Sequence, residues 1–410
     1  MRLAGILTGG FFGKSARRDD NVTARTVGRL VKPSVPVSDI DPVLAWSSII
    51  LLTLGLVMVY SASIAIAEGL DSYGFFQADY FLVQHAKSLC VGLVAGLIVF
   101  HVPMALWQRM APWLFLIGVV LLAVTLGIGH VAGNSRRWLV FGSVTFQSSE
   151  LMKLFVAIYA ADYTVRKLDV MSSFKQGFMP MTVVILFVGC LLLLQPDFGA
   201  FVVIAAIAFG VLFLGGVSTR AFLLLCVAAI IGFILLVQVQ PYMQARIRGF
   251  IDPWAYQFGD GFQLAQAQIA FGRGEWLGVG LGSSIQKLFY LTQPHTDFLL
   301  AVIAEELGFV GVFVVVGFFT LLVQRTFVIG REAIRLERYF SGLVAQAIGL
   351  WFGVQAFINM GSSMGLLPTK GITLPLMSYG GSGLLANCLA LGILLRIDWE
   401  TRMLKRRADT

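Results

Sequence analysis

Apolar residues along this chain run in unbroken stretches of about 20 positions. A helix facing a soluble core would instead show a stripe with a 3.6-residue period. Segments at about 43–66, 82–100, 111–129, 147–165, 180–196, 198–216, 220–239, 297–323, 341–362 and 374–396 each have roughly the length a helix needs to cross a bilayer core of about 30 Å. The pattern predicts an all-α polytopic membrane protein with about ten transmembrane helices. The fourth segment is the most polar, because it carries Glu150, Lys153 and Asp162. The fifth and sixth meet at Gln195-Pro196-Asp197-Phe198-Gly199. There the proline removes a helix hydrogen bond and the glycine relaxes the turn, so a tight hairpin is predicted.

A long outward-facing loop between helices 7 and 8, about 240–296, interrupts this rhythm and is too polar and too rich in glycine and aromatic residues to span. Loops of such length usually carry function. Its FQLAQAQIAFGRG portion has apolar residues at helical spacing and reads as an amphipathic helix at the membrane surface. The chain therefore divides into a basic N-terminal extension over 1–42, a transmembrane domain over 43–398 and a basic tail over 399–410.

Composition agrees with this division and narrows the function classes. Of the 410 residues 58% are hydrophobic and 13% charged, with mean hydropathy +0.84, about half the charged share of a soluble domain. A cytosolic enzyme and a nucleic-acid binder are excluded as first readings. The net charge of +8 instead reports orientation. With the N-terminus inside, 21 of the 30 Lys and Arg residues fall on inner segments, 7 on outer ones and 2 within spans, so the positive-inside rule places both termini in the cytoplasm. The four cysteines all lie in apolar runs without metal-ligand spacing, and the short, glycine-broken N-terminal apolar stretch predicts no cleaved signal.

Charges in or beside hydrocarbon are costly, so these few are the chemical candidates. Asp297 stands where the polar loop becomes a helix. It reads either as a first-turn acid complementing the helix dipole or as a carboxylate whose pKa rises among apolar neighbours, suited to general-base work. Glu305 and Glu306 lie two turns deeper, and a structural ion pair is at least as good a reading as catalysis there. Glu150 and Lys153, three apart, share a helix face and can pair. Alternatively, Lys153 with loop residues Arg137 and Trp138 and the outer arginines Arg246 and Arg248 faces the diphosphate of an anionic lipid. Asp197 is either a turn residue or a ligand in a cavity. Residues 365–385, GLLPTKGITLPLMSYGGSGLL, hold two prolines and five glycines. A broken or re-entrant segment is predicted there, with Lys370 and Ser378 as substrate-side positions.

The strings RRWLVFGSVTFQSSELMKL, LLQPDFGAFVV, PHTDF with AEELG, and PTKGITLPLMSYGGSGLL occur in this order and resemble the SEDS family of shape, elongation, division and sporulation proteins over about residues 43–398. ARIRGFIDPW, FQLAQAQIAFGRGEWLGVGLGSSIQKLFYL and the basic extension are most similar to the division-type members, the elongation type coming second. The resemblance implies a ten-helix fold and a glycosyltransferase that polymerises lipid II at the outer face of the inner membrane during septal wall synthesis. It also implies a class B penicillin-binding protein as partner, alongside other division-complex membrane proteins, and no nucleic acid. The family's essential Asp falls on Asp297, its Glu and Lys on Glu150 and Lys153, and its Arg-Trp pair on Arg137 and Trp138. No cofactor is implied with certainty, although a divalent cation is one way to offset the leaving diphosphate. The chain departs from the family's SYGGSS by having Gly383 in place of the second serine, and has Gln147-Ser148-Ser149-Glu150 where a proline is common. The rival readings are a lipid-linked precursor flippase, for which broken helices are equally expected, and a division scaffold.

Overall fold

The computed structural model describes residues 40–71, 79–132, 135–141 and 144–409. The basic extension expected over 1–42 lies outside these residues except at its last three positions. The helices, in chain order, are α1 Pro42–Asp71, α2 Tyr80–Phe100, α3 Met104–Ile128, α4 Ser148–Arg166, α5 Met179–Leu194, α6 Phe198–Leu214, α7 Thr219–Val239, α8 Pro241–Ile251, α9 Phe262–Gly274, α10 Leu299–Arg335, α11 Tyr339–Ser363 and α12 Gly381–Asp409. Between α3 and α4 three antiparallel strands, β1 His130–Ala132, β2 Ser135–Phe141 and β3 Val144–Gln147, form a small sheet in the order β1-β2-β3.

Among the described residues eight helical segments are long and apolar enough to cross a membrane. The other two predicted spans coincide with α6, which has 17 residues, and α4, which has 19 residues and whose charges exclude it on composition alone. Helix α4 tolerates those charges because protein surrounds it. It is buried along almost its whole length and packs against α3, α6, α11 and α12. At the α2–α12 contact, Gly92 and Gly96 lie four apart, and a Cβ on Gly96 would stand 2.7 Å from the Cys388 carbonyl. Small residues at this spacing let helix backbones approach closely in a membrane.

Several boundaries differ from the sequence pattern. Helix α10 runs to Arg335 rather than 323, and α12 starts at Gly381 rather than 374. The tail expected after 398 continues α12, where Arg402 pairs with Asp398 at 2.9 Å and with Asp41 at 2.9 Å, and Arg325 also reaches Asp41. Part of the basic surplus is thus neutralised in one knot at the end of the bundle where the described chain begins. The sheet was not predicted, because its strands of three to seven residues give too little alternation to register beside long apolar runs.

Helix α10 contains a break that shapes the bundle end opposite this knot. Gly308 has φ 68°, and the amides of Phe309 and Val310 bond to the carbonyls of Glu275 and Trp276 at 2.9 and 3.1 Å. The carbonyls of Glu305 and Glu306, which those amides would meet in a regular helix, accept from Val279 and Gly280 at 2.9 and 3.1 Å. The chain after α9 is therefore spliced into α10, and these two amides and two carbonyls freed by the break are satisfied. Such an approach needs glycine, because a Cβ on Gly278, at φ 79°, would stand 2.1 Å from the Glu306 carbonyl oxygen.

Candidate active site

Asp297 lies two residues ahead of α10, about 40 Å along that helix from Arg325 in the charged knot. It belongs to the bundle end opposite the knot. Two irregular segments meet there, 293–298 and 364–380, stitched at three points. Ser378 Oγ donates to the Thr296 carbonyl at 2.6 Å and accepts from the Leu374 amide at 2.9 Å, while the Tyr379 amide donates to the His295 carbonyl at 3.0 Å. Asn359 on α11 donates through Nδ2 to the carbonyls of Asp297 at 2.8 Å and Ile372 at 2.6 Å. A Cβ on Gly371 would stand 3.2 Å from Asp297 Oδ2, so the glycine keeps the segment against the carboxylate.

Burial pushes the Asp297 carboxyl up to about 6, with Arg246 and Arg137 pulling the other way. The flanking His295 is pushed down to about 4 by burial, with His85 adding to the effect. It is therefore neutral at pH 7 and packs as an aromatic ring against Phe81 and Tyr379, centroids 5.0 and 5.4 Å away.

Glu150 and Lys153 form the predicted pair at 2.7 Å, with the Lys153 side chain only 2% exposed. Lys153 Nζ also donates to Gln355 Oε1 at 2.8 Å and lies 5.4 Å from the Trp351 ring centroid. Trp351 Nε1 donates to the same oxygen at 2.7 Å, and Gln355 Nε2 donates to the Thr373 carbonyl at 2.9 Å. Glu150 Oε2 has no hydrogen-bond partner among the described residues. A Cβ on Gly383 would sit 3.3 Å from this oxygen, so a serine at that position would bring a hydroxyl against it.

A cavity of about 210 Å³ opens beside these groups and is lined by Arg137, Arg246, Lys370, Phe198, Phe233 and Gly371, among others. A smaller one of about 30 Å³ shares Gly199 and Gly371 with it and is lined by Glu150, Lys153 and Asp197. Each cation is held in place. Arg137 Nε donates to the Gln195 carbonyl at 3.3 Å and its Nη2 to the Pro196 carbonyl, while Arg246 Nη1 donates to the Thr369 carbonyl and hydroxyl at 3.0 and 2.9 Å. Lys370 lies over Phe198 and Phe233, and burial beside Arg246 holds its pKa below the usual lysine range against the pull of Asp197. Asp197 caps α6 through the Ala200 amide at 3.3 Å and accepts from Ser149 at 2.9 Å and Gln147 at 3.2 Å. It is both the turn residue and a cavity residue. With three cations on its wall the site suits an anion. Among the described residues no three His, Cys, Asp or Glu side chains gather into a metal site built from protein alone.

Other predicted residues lie elsewhere. Arg248 is 58% exposed and 3.8 Å from Asp260, Trp138 sits in β2 outside both cavities, and Ser378 is engaged by backbone. Glu305 and Glu306 follow their structural reading: Arg273 meets Glu305 at 3.0 Å, and Lys287 meets Glu306 at 2.8 Å. Trp351, Gln355 and Asn359 were missed, because uncharged polar side chains within a span do not stand out in a search for charges.

The "Cell cycle protein" family model that unites FtsW, RodA and SpoVE matches residues 42–403. The chain belongs to the FtsW/RodA/SpoVE family. Two relatives, each called a probable peptidoglycan glycosyltransferase FtsW, are those of Aromatoleum aromaticum, 62% identical over 97% of both chains, and of Burkholderia thailandensis, 54% identical over 90% of this chain and 80% of the relative. Among solved structures, a chain from a peptidoglycan synthase complex that coordinates polymerization and crosslinking is 27% identical with TM-score 0.72, covering 88% of this chain and 98% of that one. Thermus thermophilus rod shape determining protein RodA is 25% identical with TM-score 0.63, covering 88% and 96%. Membership in this family and the multi-span helical fold agree with the SEDS resemblance.

Proposed function

We propose that this chain is a peptidoglycan glycosyltransferase of the FtsW type that polymerises lipid II at the outer face of the inner membrane, with Asp297 as general base. The observation that carries this reading is a carboxyl raised to about 6 beside a cavity walled by Arg137, Arg246 and Lys370. Such a base is ionised at neutral pH and basic enough to accept a proton. The 4-hydroxyl of the acceptor GlcNAc passes its proton to Asp297 as its oxygen bonds to the anomeric carbon of the donor chain. The bond from that carbon to undecaprenyl diphosphate breaks, and the three cations receive the charge that develops on the leaving group.

An N-in, C-in topology is supported by the threefold excess of basic residues on inner segments, and it puts Asp297 outward. A class B penicillin-binding protein partner is supported by the likeness to a chain of a synthase complex. A septal location with other division-complex proteins is supported by FtsW-named relatives. Polymerisation of lipid II by purified protein with its transpeptidase partner tests the reading. Asp297→Asn and Asp297→Ala abolish glycan chains; normal chains from either variant refute the base.

A further inference from the structure

Trp351, Gln355 and Asn359 stand four residues apart on α11, so they form one row with a rise of about 6 Å per step. Each amide joins parts of the site that are distant in sequence. Gln355 joins Lys153 on α4 to the Thr373 carbonyl, and Asn359 joins the Asp297 carbonyl to that of Ile372. Both partners of the Asn359 nitrogen are carbonyls, which fixes which way the amide points. Its oxygen is then buried without a partner among the described residues. An unpaired oxygen at a fully buried position is costly, and an apolar residue of similar size would avoid it. Its retention has a reason if the nitrogen's two bonds set the place of Asp297.

We infer that Gln355 and Asn359 are positioning residues that fix the Asp297 carboxylate relative to the Glu150–Lys153 pair and the cation-lined cavity. Neither side chain lines the cavities, so both act through the groups they hold. Asn359 sets the backbone of Asp297 and of the Gly371-Ile372 turn that faces its carboxylate. Gln355 sets the next residue of that turn and Lys153 together. The row thus holds acid, ion pair and turn to one rigid helix. Displacing a reacting group by about 1 Å is enough to lose orders of magnitude in rate.

This inference rests on Asp297 as general base, and the experiment separates the two. Lipid II polymerisation by the full chain with its partner is measured for Asn359→Ala, Asn359→Asp and Gln355→Met as a function of substrate and pH, with Asp297→Asn alongside. Asn359→Ala and Asn359→Asp are expected to lower kcat roughly tenfold or more at a KM within about twofold of wild type. The acidic limb of the pH profile moves as the carboxylate changes surroundings. Gln355→Met, which keeps the bulk of the side chain, is expected to lower kcat without moving that limb, because Asp297 keeps its Asn359 bond. An Asn359→Ala protein with wild-type kcat and an unmoved acidic limb overturns the inference while Asp297→Asn is still inactive. Active Asp297→Asn overturns the base itself. If the Asn359 variants fail to fold, Gln355→Met decides: unchanged kcat overturns the inference, and reduced kcat at normal KM upholds it.

Discussion

Replacing Asp297 by Asn should make the protein more stable while destroying its activity. The carboxyl stands at about 6 against an ordinary 3.8, so between these values an unfolded chain ionises while the folded one resists. Each pH unit of difference between the two states corresponds to about 1.36 kcal/mol. The ionised group therefore destabilises the fold by about 2–3 kcal/mol above pH 6, allowing for its partial exposure. The sign follows from linkage: the cost is absent below 3.8, where both states are protonated, and complete above 6. Asparagine has nearly the same shape and never carries the charge. At roughly 2.1 cal/mol/K of unfolding entropy per residue, the gain is about 3 °C in Tm. Thermal unfolding of both proteins in the same detergent, at pH 7.5 and pH 4.5, measures it. The Asn protein is expected to melt higher at pH 7.5, with the gap reduced to about a third at pH 4.5. An equal or lower Tm at pH 7.5, or a gap that does not depend on pH, refutes the argument that burial of a charge raises this carboxyl.

Two further outcomes follow from the same geometry. Polymerisation by the wild type should rise with pH through a limb near 6 as Asp297 ionises; a rate that stays flat between pH 5 and 7.5 contradicts this. Lys287→Met leaves Glu306 buried and unpaired and should cost about 3–5 kcal/mol of stability, whereas Arg248→Ala, at an exposed pair, should cost no more than about 1 kcal/mol and leave polymerisation within twofold. Denaturation and polymerisation assays on the two variants check the contrast.

The fold was legible wherever hydrophobic length decides it, since each of the ten predicted spans corresponds to a helix. It was illegible where tertiary contact decides it. Helix α4 carries three charges among its first fifteen residues, and only the surrounding helices explain why a segment so polar lies in the middle of the bundle. Residues 374–380 looked apolar enough to begin a span, yet Ser378 and Tyr379 tie them into irregular backbone. At the site, Asp297, Glu150, Lys153, Arg137, Arg246 and Lys370 were visible because ionised groups are conspicuous in an apolar chain. Gln355 and Asn359 were not, because their importance lies in which carbonyls they reach, and that is fixed by chain crossings. Arg248 is the converse case: a cation in the expected loop that points to Asp260 instead.

The splice at Gly308 joins the segment after α9 to α10 by four backbone bonds, two from each strand of the exchange. The four bonds form one connected set, so they separate together or stay closed. The stretch from Glu275 to Gly280 and the head of α10 thus share one opening equilibrium and behave as a single stiff body. A push on the exposed ring of Trp276 does not merely bend a loop. It is transmitted to the head of α10, which Asp297 precedes by two residues, as force on one end of a lever is felt at the other.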